Sequence, residues 1–206
     1  MIRRRTALTL SAAGLLAAAP LLTACGSAPH PGAAAVVGGE RITVSELQRE
    51  VEDVRRAQRE SPQAQQLLAG SSRLGQDTLV RLIQYRIIER AGADNGVGVT
   101  RRELQERRTQ VERMLGGSGA VEGRFLAANI APRQIDQELE AGLVRAKLEQ
   151  KLGPARTTQA LVRTSDAMRV DINPRYGAWD PERGTAKAAS EPWLRRADVP
   201  PAGRPA

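Results

Sequence analysis

The stretch "LVRLIQYRIIERAGADNGVGVTRREL", Leu79 to Leu104, decides how the rest of the chain is read. Its first half carries Leu79, Val80, Leu82, Ile83, Tyr85, Ile87 and Ile88. Wound at 3.6 residues per turn, these positions cover most of the circumference, which predicts a helix over about Gln76 to Ala91 covered on several sides. Its second half is a Gly-, Asp- and Asn-rich loop followed by Thr100 and Glu103, a capping box that opens another helix. A helix buried all round needs other helices to bury it. The fold class that follows is mostly α.

Upstream, "AAVVGGERITV" places Val36 and Val37 before a Gly38-Gly39 turn, with Ile42 and Val44 alternating against Arg41 and Thr43. That pattern predicts a short hairpin, too small to stand alone in water. Ser45 to Gln48 reads as the capping box of the next helix, striped by Leu47, Val51 and Val54. A short helix from Ser61-Pro62 through Leu67 and Leu68 stops at Gly70. Downstream, the Thr100 helix bears Leu104, Val111, Met114 and Leu115 and breaks at the "GGSG" of 116–119. A helix over Ala120 to Ala128 and a long one from Pro132 to Leu152 follow, and Gly153-Pro154 separates the latter from a last helix over Ala155 to about Asp166. Met168 to Ile172 then alternates apolar and charged with period two. This is the third strand the hairpin lacks. The expected domain is therefore a helical body over residues 35–181, with a three-stranded sheet made by the N-terminal hairpin and a C-terminal strand. Residues 182–206, rich in Pro, Ala and Arg and including Trp193, show no periodicity and read as a disordered tail.

The N-terminus carries a different signal. Arg3, Arg4 and Arg5 precede an apolar run from Ala7 to Leu22, which reads as an export signal over residues 1–24. Leu22 to Cys25, "LTAC", resembles the lipobox of bacterial lipoproteins. That resemblance implies cleavage between Ala24 and Cys25 and attachment of diacylglycerol to the Cys25 sulfur, with the membrane lipid as a partner. Palmitate is the expected acyl type, and two or more acyl chains make a stable anchor. Residues 25–34 would tether the domain to the extracytoplasmic face of the cell membrane. Cys25 is the only cysteine, so an intrachain disulfide is excluded. Losing the three leading arginines lowers the formal charge from +8 to +5. On an exported chain that surplus suits anionic head groups or wall polymers better than nucleic acid, which is not expected as a partner.

Three stretches carry a family resemblance: "AAVVGGERITVSEL" at 34–47, residues 79–104, and the closing "VDINPRYGAWDP". Together they resemble the SurA N-terminal domain family of exported chaperones and foldases. Gly38-Gly39 stands where that family usually has Asn-Gly, a change that still serves a tight turn. The resemblance spans roughly residues 34–180 and implies a helical domain that binds unfolded or extended segments of exported proteins. Full-length SurA-like and PrsA-like foldases add parvulin isomerase modules, marked by paired histidines and Phe-lined pockets. This chain has one His, His30 in the tether, and one Phe, Phe125. Nothing between Gly153 and Ile172 leaves room for such a module, so no isomerase activity is expected.

Other chemistries lack their residues. There is no Cys/His metal spacing, no P-loop lysine after "GGSG", and no Ser-His-Asp set, so the sequence points to no enzyme, metal or cofactor. Helical carboxylates such as Glu46, Asp53, Glu103, Asp136, Glu138 and Glu140 read as solvated faces. What remains is binding. Leu82, Ile83 and Tyr85 of the central helix, with Met114, are candidates for an apolar client-binding cleft, and the sequence leaves it equally open that all four are only core. Tyr176 and Trp179, beside Arg175, are recognition-type side chains and candidates for client binding, although plugging the open end of the core is the preferred reading for both. The alternative function is a non-catalytic adaptor lipoprotein that docks one envelope protein or a cell-wall polymer.

Overall fold

The computed structural model describes residues 32–187. The expected export signal, the expected lipobox with Cys25, most of the expected tether, and the segment beyond Lys187 with Trp193 lie outside the described residues. Strands β1 (Ala33–Val37) and β2 (Glu40–Thr43) form the hairpin, paired Val36 to Arg41 and Val37 to Glu40. Gly38 and Gly39 turn the chain at φ 61° and 85°. A two-residue loop of this kind needs positive φ at both central positions, which glycine adopts without strain. The sheet begins earlier than the sequence suggested. Ala33 and Ala34 belong to β1 and are buried.

Strand β1 is the middle of a sheet ordered β2-β1-β3, where β3 is Asp171–Ile172. All five residues of β1 are buried, whereas β2 buries only Ile42. The third strand arrives from the far end of the chain as anticipated, pairing Ile172 with Ala35 and Asp171 with Val36. It is shorter than its alternation implied. Met168 caps a helix, and Arg169 takes φ 47°, so strand geometry begins only after Val170. Met168 still serves the sheet: its carbonyl accepts from the Gly38 N–H at 2.6 Å.

Helix α1 (Val44–Glu60) follows β2 directly. Its cap is Thr43, not Ser45: the Thr43 hydroxyl accepts from the Glu46 N–H at 3.0 Å while Glu46 accepts from the Thr43 N–H. Two capping-box patterns overlap here, and the one at the strand's last residue wins because the strand leaves no linker. Helices α2 (Ala64–Ala69), α3 (Leu74–Asp94), α4 (Arg101–Leu115) and α5 (Ser118–Ala127) follow. A 3-10 turn at Pro132–Gln134 leads into α6 (Ile135–Leu152), then α7 (Pro154–Ala167). The Thr100–Glu103 capping box of α4 is present as expected.

Helix α3 is the axis. Leu74, Thr78, Leu79, Ile83, Tyr85, Ile87 and Ala91 are buried on it, and α1, α6, α7 and β1 pack around it. The largest cluster joins Leu79, Ile83 and Ile87 to Val37, Ile42, Leu47 and Ile172. A second cluster, Val111, Val121, Ile130, Ile135 and Leu139, holds α4 and α5 onto the start of α6.

The described chain does not stop being ordered at Pro181. Strands β4 (Ala178–Asp180) and β5 (Thr185–Lys187) form a second antiparallel hairpin. Ala186 is buried in the main cluster, and buried Asp180 pairs with Lys187 Nζ at 2.8 Å. A Cβ on Gly177, at φ 114°, would come within 2.3 Å of the Lys187 carbonyl oxygen, so only glycine permits this closure. The tail expected from residue 182 therefore begins no earlier than 188. Strands of three residues show no alternation to read.

Candidate functional site

The three candidate residues of the central helix are interior. Ile83 is 0% exposed, Tyr85 is 9% exposed, and Leu82 packs half-buried against the sheet cluster. The Tyr85 hydroxyl donates to Glu138 Oε2 at 2.6 Å, and Arg81 Nε lies 3.8 Å from the same oxygen. Burial, and then the hydrogen bond to Glu138, push the Tyr85 hydroxyl far up, so it stays protonated and pins α3 to α6. Of the two readings open for these residues, Ile83 and Tyr85 take the core one, and Leu82 packs partly buried against that core. An apolar circumference identifies a surrounded helix, and here protein surrounds it.

Tyr176 and Trp179 are half-buried against the main cluster. The Trp179 indole N–H donates to Ser165 Oγ at 2.8 Å, and the Arg175 guanidinium stands 5.4 Å from the Tyr176 ring centroid. They close the sheet end of the core over α7. Met114 behaves differently. It is 64% exposed at the end of α4, beside Leu115 at 40%. These two are the exposed large apolar side chains of the described residues.

Polar side chains mostly brace the helices. Buried Asp53 of α1 pairs with Arg56 and with Arg133 of the 3-10 turn, and Arg133 also meets Glu50 at 2.9 Å. Gln134 Nε2 donates to Glu50 Oε2 at 2.7 Å. On α4, Glu103 accepts from Lys147 Nζ at 2.5 Å. That bond, then those from the Thr100 backbone and hydroxyl, hold the Glu103 carboxyl down to about 2. Among the described residues, no group of three or more His, Cys, Asp or Glu is placed to hold a metal ion. No helix among them is long and apolar enough to cross a membrane.

One open recess was not foreseen from the sequence. It lies between α2 and α5, has a volume of about 480 Å³, and is lined by Gln63, Gln66 and Leu67 on one side and Ala120, Gly123 and Ala127 on the other. Ser61, Gly70, Arg124, Leu126 and Asn129 complete it. The signal that could have found it is the spacing of Ala120, Gly123 and Ala127, which puts three small residues on one face of α5.

The described residues thus form a helical body wrapped on α3, sealed by a hairpin sheet and carrying an open, amide-rimmed recess. Residues 2–149 match the SurA-like N-terminal domain, and the chain belongs to that family. No curated protein and no solved structure matches the chain. The matched segment contains β1 through α5 and most of α6. Helix α7, β3 and the β4–β5 hairpin lie beyond it, although they complete the same core. Membership supports a chaperone-like role in protein folding and is consistent with binding of unfolded proteins.

Proposed function

We propose that this chain is a lipoprotein anchored through acylated Cys25 on the extracytoplasmic face of the cell membrane, where it binds extended or unfolded segments of exported proteins without isomerase activity. Membership of the SurA-like N-terminal domain family carries this reading. The Arg-led apolar run and "LTAC" ending at Cys25 support the anchor. With β1 starting at Ala33, residues 25–32 reach at most about 28 Å, which keeps the domain close to the bilayer. The absence of isomerase activity rests on a sequence with one His and one Phe, short of the residues a proline pocket needs.

Two measurements test it. Mass spectrometry of the native membrane fraction should find a diacylglyceryl-modified chain starting at Cys25, and Cys25→Ser should abolish it. The mature domain in several-fold excess should slow aggregation of an unfolded client while leaving tetrapeptide proline isomerisation at background. An unmodified start elsewhere removes the anchor. Unslowed aggregation removes the chaperone role, and isomerisation above background removes its non-catalytic part.

A further inference from the structure

We infer that the recess between α2 and α5 binds an extended peptide segment that carries a carboxylate, with Arg124 facing the carboxylate and side-chain amides bonding the peptide main chain. The inference rests on the chaperone reading for the origin of the peptide, which would come from an exported client. The recess itself is a feature of the fold.

Its size falls within the roughly 300–1,000 Å³ typical of ligand sites. Leu67 and Leu126 supply an apolar floor. The α5 wall is low: a Cβ built on Gly123 meets no atom within 4 Å, so that turn of helix leaves open space where a side chain would otherwise stand. A main chain can therefore approach the helix closely.

The polar rim suits a main chain. Asn129, held at φ 59°, accepts through Oδ1 from Nε2 of fully buried Gln58 at 2.9 Å. That bond fixes the Asn129 amide and leaves its Nδ2 without a partner among the described residues. Gln63 Oε1 accepts from the Ser61 hydroxyl at 3.0 Å, which leaves the Gln63 NH₂ to donate. The Gln66 amide makes no side-chain hydrogen bond among the described residues. Amides donate and accept without regard to sequence, which is what recognition of a main chain requires.

Charge selects the occupant. Arg124 is the single charged residue of the lining. Arg102 and Arg108 of the neighbouring α4 are each matched by a carboxylate, at 2.8 Å to Glu106 and 2.6 Å to Asp136. Arg101, Arg107, Arg113 and Arg124 have no carboxylate partner among the described residues, and of these four Arg124 alone lines the recess. A bound segment with a carboxylate compensates Arg124, and a charge-assisted bond of this kind is stronger than a neutral one.

The test is fluorescence anisotropy with the mature chain and three labelled Ala/Leu peptides. One holds a central Glu with an amidated end, one a central Gln with an amidated end, and one a central Gln with a free carboxyl terminus. The Glu peptide should bind about tenfold more tightly than the amidated Gln peptide. Recovery of that factor by the free-terminus peptide would identify a chain end as the carboxylate, and failure to recover it a side chain. Arg124→Gln should erase the preference. Gly123→Leu should fill the recess and abolish binding, while Gly119→Leu, on the same helix and equally open, should not. Both exchanges raise helix propensity, so neither variant loses binding through loss of α5. Equal affinity for Glu and Gln peptides, or undiminished binding by Gly123→Leu, overturns the inference. So does binding by a chain ending at Lys187 but not by the longer one, which would make the chain's own C-terminal segment the occupant. A Gly123→Leu variant that still slows client aggregation, with peptide binding unaltered, sinks this site alone; a wild-type domain that slows nothing sinks the chaperone reading, and the peptide affinities still judge the recess.

Discussion

The sheet end of the molecule and the α4–α5 arm are built in opposite ways. At the sheet end, residues 33–43, 74–94 and 171–187 meet from three distant parts of the chain, and Ala34, Val37, Ile42, Ile83 and Ile172 are buried together. In the arm the elements are consecutive, and α4 buries only Val111 while Met114 and Leu115 face outward. Distant segments gain contacts only after their loops have closed, so the sheet end must bury enough apolar surface to offset that entropy. The arm has no such demand. Capping, i,i+4 ion pairs such as Arg102–Glu106, and one modest cluster suffice, which frees side chains for solvent or a ligand. Deeply buried apolar side chains are concentrated where distant segments of the described chain meet, and the exposed large apolar ones, Met114 and Leu115, lie in the arm.

The sharpest way to break this contrast is a charge at each end. Ile172→Asp removes a buried side chain, a loss of ~2–5 kcal/mol when the replacement is alanine, and adds an unpaired carboxylate to the cluster. Against a total of ~5–15 kcal/mol, the cooperative thermal transition by far-ultraviolet circular dichroism should disappear. Leu115→Asp in the arm should keep it. A variant at Ile172 that melts like the parent would show that the third strand does not seal the core.

A smaller effect comes from ending the chain after Pro181. This deletes β5, exposes the sites filled by Ala186, and strips Lys187 from buried Asp180. The loss should be roughly 1–3 kcal/mol, read as a drop in Tm of several degrees relative to a chain ending at Lys187. Identical melting of the two would reduce the second hairpin to decoration.

Acid probes the arm. Glu103 has a folded pKa of about 2 against an ordinary 4.5, held there first by Lys147. A depressed carboxylate stabilises the folded state fully above its unfolded value and loses that contribution as pH falls. Wild type should therefore melt above Glu103→Gln at neutral pH, and the two should converge between about pH 4.5 and 2. Because the pair is solvent-facing, the separation should be small and should shrink with salt. A constant gap across that window would remove the ion pair as its cause.

The smallest effect belongs to Met114→Ser. At 64% exposure the side chain has little to lose, so stability should move by less than ~0.5 kcal/mol. A larger drop would mean that the arm tip packs against something in solution, and sedimentation would then reveal association.

Periodicity and punctuation made most of the architecture legible. The apolar circumference of residues 79–88 marked the axis, the Thr100–Glu103 box marked the start of α4, and Gly38-Gly39 marked the hairpin. Even the long-range partner of that hairpin was readable, because Met168 to Ile172 alternates and β1 needed a neighbour. These signals are local, and local signals report that a residue is buried without saying against what. Only the tertiary structure decided that Ile83 and Tyr85 are core, since α1, α6, α7 and β1 pack against the faces of α3 that carry them. It alone set the Thr43 cap, which depends on where β2 ends, and the β4–β5 hairpin, whose three-residue strands carry no period. The recess between α2 and α5 exists because two helices some fifty residues apart present small and amide side chains to one another across a gap. No single stretch of sequence contains a gap; it is a property of the distance between two surfaces.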